Sequence, residues 1–152
     1  MSTRIWLPLI VMVTATVTVR SAMADEPSVT AAIFEVSATS GKERVVDPEL
    51  KPLEKKLKRP LFASWNQFRV LMKTQKALVK KKDETLKLKI GSATITLVEI
   101  VDKSKCRINA TMADDKGKQI LSNTSTLEAG DYVVYGHPLP NNDGHLLALT
   151  CK

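Results

Sequence analysis

The chain has 152 residues, 43% of them apolar and 26% charged, with a formal net charge of +7. Such a length supports one modest core and such a composition is globular, which excludes a multidomain enzyme, a coiled coil and a disordered tail.

In chain order, residues 1–24 have the three parts of an export signal: Arg4, an apolar stretch from Ile5 to Val19, and the small-residue cut site Ala22-Met23-Ala24. The stretch is 15 residues long, closed by Arg20, whereas a bilayer needs about 20. Cleavage before Asp25 is therefore expected, leaving residues 25–152 as a single exported domain, periplasmic or extracellular, with no retained transmembrane segment. A retained anchor is the alternative, because Arg20 before the cut site is unusual.

Residues 31–38 read as a first strand and Ser40-Gly41 as a turn. Asp47 can cap a helical segment, Pro48 suits its first position, and Leu50, Leu53 and Leu57 fall on one face. Pro52 removes a backbone bond, so the expectation is a tight turn from Pro48 and a short helix over about residues 52–58, stopped by Pro60. Residues 67–79 mix strand and helix signals, and the alternation of Phe68, Val70 and Met72 with Arg69 and Lys73 favours a strand.

Gly91-Ser92 reads as a two-residue hairpin turn pairing Ile90 with Ala93, Leu88 with Ile95 and Leu86 with Leu97. The shift of the pattern to Val98 and Ile100 after Leu97 predicts a bulge or a strand buried on both sides. Further strands are expected at about residues 104–113, 118–127, 131–136 and 145–151, with turn chemistry between them. The predicted fold is an antiparallel β-sandwich of seven or eight strands with one short helix over one end.

Cys106 and Cys151 are the two cysteines of the chain. An oxidising compartment makes a disulfide between them the economical reading. A reactive thiolate at Cys106, flanked by Lys105 and Arg107, and a pair of free buried thiols are the alternatives.

The pattern Asp47-Pro48 with Leu50, Leu53 and Leu57, then Phe62 with Phe68-Arg69-Val70-Leu71, Gly130-Asp131-Tyr132-Val133-Val134, and Gly144 with Leu146 to Thr150 resembles a family of small exported bacterial β-rich proteins. The likeness spans about residues 31–151. It implies export and a β-rich domain; no activity is attached to the family, so it carries no functional residue onto this chain.

Charge is unevenly spread. Residues 51–89 hold 13 cationic side chains against three acidic ones, so this segment is +10 while the remainder of the mature chain sums to −5. Lys55, Lys56, Lys58, Arg59, Lys80, Lys81, Lys82, Lys87 and Lys89 are the candidate binding residues for an acidic protein or an anionic envelope polymer. A merely solvated, aggregation-resistant face is the plainer reading. Lysine outnumbers arginine 11 to 2 in the segment and few aromatic rings are interleaved with it, which argues against dedicated nucleic-acid binding.

His137, Asp143 and His145 are a candidate metal or hydrolytic trio, since the two histidines can converge across a hairpin. The intervening Pro138 to Gly144 reads first as turn chemistry, and no metal or cofactor is expected. Neither a Gly-x-Ser-x-Gly elbow nor a His-Glu-x-x-His helix is present. Two glycan acceptor patterns, Asn109-Ala110-Thr111 and Asn123-Thr124-Ser125, are short enough to be accidental. The expectation is a non-enzymatic exported binding or structural domain, an accessory subunit of an envelope or extracellular assembly; the alternative is a metal-binding protein or small hydrolase centred on His137, Asp143 and His145.

Overall fold

The structure, a computed structural model, describes residues 27–152, so the export signal read at residues 1–24 lies outside the described residues. Among the described residues nine strands form two sheets: β1 (Ser28–Thr39), β2 (Val45–Val46), β3 (Gln67–Val79), β4 (Asp83–Lys87), β5 (Ser92–Asp102), β6 (Lys105–Ala113), β7 (Gln119–Glu128), β8 (Val133–Pro138) and β9 (Gly144–Cys151). One sheet has the order β2-β3-β1-β9-β8 and the other β4-β5-β6-β7. This is the expected β-sandwich, with one strand more than expected. The extra one is β2, whose two residues pair in parallel with Gln67 and Phe68, while the other ladders are antiparallel.

Burial follows strand parity. Ala31 and Ile33 of β1 with Leu147, Leu149 and Cys151 of β9 face the second sheet and pack on Ile95, Leu97, Ile108 and Met112. The opposite parity, Phe34, Val36, Leu146 and Ala148, builds a second core on the outer face of the first sheet. All eight residues of β9 are buried because both of its faces are covered.

The cover over the outer face is the helical segment. A 3-10 turn runs over Pro48–Leu53, a single α-turn, α1, over Glu54–Leu57, and a second 3-10 turn over Pro60–Phe62. Asp47 caps the first by accepting from the Glu49 amide at 3.1 Å. Leu50, Leu53, Leu57 and Phe62 then pack onto Phe34, Val36 and Phe68. The segment therefore lies on a sheet face, where the second core needs covering, and not over one end of the sandwich as expected.

The β4–β5 hairpin also departs from expectation. Leu86 pairs with Ala93, Thr85 with Thr94 and Glu84 with Ile95, four residues away from the predicted register, so each side chain keeps its face. The slip has a visible cause: Leu88 to Gly91 form a wider turn whose Lys89 and Ile90 amides are captured by a carboxylate of the other sheet, Glu35, at 2.8 and 3.0 Å. The bulge foreseen after Leu97 is present between Leu97 and Glu99.

Cys106 on β6 and Cys151 on β9 form a disulfide. It ties one sheet to the other through the core, closes a loop with a sequence separation of 45 residues, and leaves no free thiol.

Candidate functional site

The most polar feature of the interior grows from one residue of β1. Glu35 has the same parity as Ala31 and Ile33, so its carboxyl is driven into the space between the sheets, where it is 0% exposed. Each oxygen finds a donor. Oε2 accepts from the Lys89 amide, while Oε1 accepts from the Ile90 amide and lies 2.8 Å from Nε2 of His145. With Glu35 ionised, Nε2 of His145 donates to it, and Nδ1 of His145 lies 3.0 Å from Nε2 of His137, the ring tautomers setting which of the two nitrogens donates. The two imidazoles meet edge to face, their centroids 5.1 Å apart.

The β8–β9 hairpin supplies both histidines, because His137 is paired directly with His145. Pro140 and Asn141 turn the chain, and Asn142 takes the left-handed conformation at φ 66°. The Leu139 amide donates to the Asp143 carbonyl at 2.7 Å and closes the turn. Trp65 locks it from outside: its indole N–H donates to the Asn142 carbonyl at 2.8 Å, and the ring lies so close to Gly144 that any Cβ there would stand 2.8 Å from it.

The predicted trio is thus only partly assembled. His137 and His145 are brought together, while Asp143 is bonded inside the turn to Asn141, which donates to its carboxylate at 3.0 Å. The carboxylate that meets the imidazoles is Glu35, 110 positions from His145 in the chain. Sequence reasoning missed it, although a lone acid at a core-facing position of an apolar strand is a usable signal. Among the described residues no group of three His, Cys, Asp or Glu is disposed to hold a metal ion; both nitrogens of His145 and Nε2 of His137 are engaged with each other and with Glu35.

Burial by itself would raise the Glu35 pKa, but the His145 hydrogen bond, the two amides and the His145 charge together hold it below the ordinary carboxylate value. His137 is held below the ordinary histidine value, by burial first and by the neighbouring His145 second, against the opposing Pro138 carbonyl. His137 stands at the rim of an open cavity of about 400 Å³ walled by Ile90, Ile120 and Leu139, with Asp114 and Asp115 at its mouth. Chemically the row Glu35–His145–His137 can shift a proton between the core and that rim. The partners of His137 are His145 and, at 3.4 Å, the Pro138 carbonyl; no hydroxyl or thiol nucleophile hydrogen-bonds to it among the described residues.

The nine candidate cationic residues fall into separate groups. Lys55, Lys56, Lys58 and Arg59 belong to α1 and the residues after it, on the layer outside the first sheet. Lys56 lies 3.4 Å from Asp131 and Lys58 lies 3.6 Å from Glu54. Lys80, Lys81 and Lys82 make the corner between β3 and β4, and Lys87 and Lys89 follow along β4 and its turn. Lys87 alternates with the buried Leu86 and Leu88, so it points outward from the second sheet, away from the α1 layer. The five lysines flanking and following β4 have no ion-pair partner among the described residues.

No protein-family model matches the chain, and no curated protein and no solved structure is significantly similar to it. No helix among the described residues is long and apolar enough to cross a membrane.

Proposed function

We propose that the protein is an exported, non-enzymatic binding domain, an accessory subunit of an envelope or extracellular assembly, that meets an acidic protein or anionic polymer through the lysines around β4. The observation that carries this reading is the unpaired set Lys80, Lys81, Lys82, Lys87 and Lys89, gathered at one edge of the second sheet and unopposed by any carboxylate within ion-pair distance among the described residues. Clustered, unneutralised cations raise the local potential for an anionic partner. The inter-sheet disulfide supports the exported half of the reading, since such bonds persist in oxidising compartments. Lys55, Lys56, Lys58 and Arg59 are a second, partly neutralised basic surface on the other side of the molecule.

Retention on an immobilised polyanion such as heparin tests the reading. It is expected to weaken steeply with salt and to be lost when Lys80, Lys81 and Lys82 are changed to Glu. Retention unchanged by either treatment removes the electrostatic reading.

A second reading, a small hydrolase or metal-dependent protein around His137, Asp143 and His145, is favoured by one observation: a buried carboxylate orients a histidine pair whose outer ring stands at an open cavity. Its test is hydrolysis of ester and phosphoester probes, together with metal analysis. Turnover or bound metal abolished by His137→Ala supports it, and neither being found ends it.

A further inference from the structure

The sheet edges are defended unequally. β4 is flanked and followed by lysines, the outer side of β3 carries Arg69, Lys73 and Lys76, and β7 offers Ser122, Asn123, Thr124 and Thr126. β8 reads Val-Val-Tyr-Gly-His-Pro and has neither lysine nor carboxylate. Charged side chains are a common means by which exposed edges are kept from pairing, and β8 has none.

The backbone of that edge is available. The Leu139–Asp143 bond fixes the alternation of the ladder. Counting back from it, Val133, Tyr135 and His137 direct their polar groups at β9, while Val134 and Gly136 turn N–H and C=O outward. β8 is the last strand of its sheet, so these groups have no strand partner among the described residues. At position 136 Leu146 and Phe62 fill the space a Cβ would take, so only glycine fits there.

Beside this edge runs a trough of about 370 Å³ between β8 and β7, floored by Leu121, Val134 and Tyr135. It continues past Val133 into a second hollow of about 270 Å³ that reaches Lys56 and Arg59. Leu61, 76% exposed, stands over both. Lys56 is matched by Asp131, whereas Arg59 has no carboxylate partner among the described residues.

We infer that the β8 edge accepts an extended segment of a partner protein as an added strand, with apolar side chains at alternate positions set in the trough and an acidic residue beside Arg59. Main-chain bonds to Val134 and Gly136 supply affinity and the alternate pockets supply selectivity. A second copy of the chain fits less well, because β8 brings no carboxylate to oppose Arg59. The inference does not depend on the lysines around β4 and fails or stands separately from them.

The test uses the disulfide-intact protein and two short synthetic peptides alternating valine and threonine, one ending in two aspartates and the other in two lysines. Amide exchange is followed by NMR. The aspartate peptide is expected to bind better and to slow exchange at Val134 and Gly136. Val134→Pro, which removes an outward N–H and keeps those facing β9, weakens its binding about tenfold. Arg59→Glu reverses the preference between the peptides. No saturable binding, protection at β4 or β7 in place of β8, or unchanged binding by a Val134→Pro variant whose Tyr135 and His137 amides stay protected overturns the inference. Concentration-dependent dimerisation abolished by Val134→Pro overturns it too, assigning the edge to a second copy.

Discussion

Glu35 shows how one side chain organises two elements. Its carboxylate is buried among apolar residues, yet it holds the Lys89 and Ile90 amides and the His145 ring. Breaking a buried polar cluster at one member leaves the remaining groups unsatisfied. Glu35→Ala is therefore expected to cost about 3–5 kcal/mol by urea denaturation, and Glu35→Gln less, because an amide oxygen can still accept from the turn. The pH dependence has a definite sign. The pKa values of His137 and Glu35 are both depressed by folding, so below their ordinary values the unfolded chain binds more protons. Their contribution is expected to be complete above pH 6.5, the ordinary histidine value, and to decline below it as His137 of the unfolded chain takes up its proton. It declines further below pH 4.5, the ordinary carboxylate value, as Glu35 is neutralised. Urea midpoints measured from pH 7.5 to 4 check this, and a midpoint that rises on acidification would contradict it. In His137→Asn the loss between pH 6.5 and 5 should flatten.

At the level of elements, the β4–β5 hairpin separates what a sequence states from what it does not. Alternation of Leu86, Leu88, Ala93, Ile95 and Leu97 placed the right residues inside, because strand parity is local. Register was not legible, since the carboxylate that widens the turn sits more than 50 positions away. The same reason hid Glu35 from the candidate site, whereas the His137–His145 pairing was readable from their spacing across a turn. Likewise the leucines after Pro48 announced a covered helical face without saying which surface it would cover. Two glycines provide a test of the turn. Gly91 has φ 74° and an added Cβ would run into the Ala113 carbonyl oxygen; Gly117 has φ 80° with nothing within 4 Å of an added Cβ. Gly117→Ala should cost only about 1–2 kcal/mol, the left-handed penalty, and Gly91→Ala clearly more. Equal urea midpoints for the two variants would refute the close approach of the hairpin to β6.

For the molecule as a whole, the disulfide joins the sheets at the end of the core opposite the Glu35 cluster, from β6 to the final strand. Replacing both cysteines by alanine should lower stability by about 4 kcal/mol in the chain-entropy model, visible as a lower urea midpoint. The cationic asymmetry of the sequence survives folding only in part: the α1 lysines and the β4 lysines end on different sides, a separation that needs the long-range sheet topology and is invisible to composition. What unites fold, bond and surface is an internally clamped sandwich, which we propose is exported. The intact mass of the unreduced protein recovered from its native cells tests that claim most directly. A chain beginning at Asp25 and two hydrogens lighter than its reduced form is the predicted result; a chain that keeps residues 1–24, or one carrying two free thiols, would contradict it.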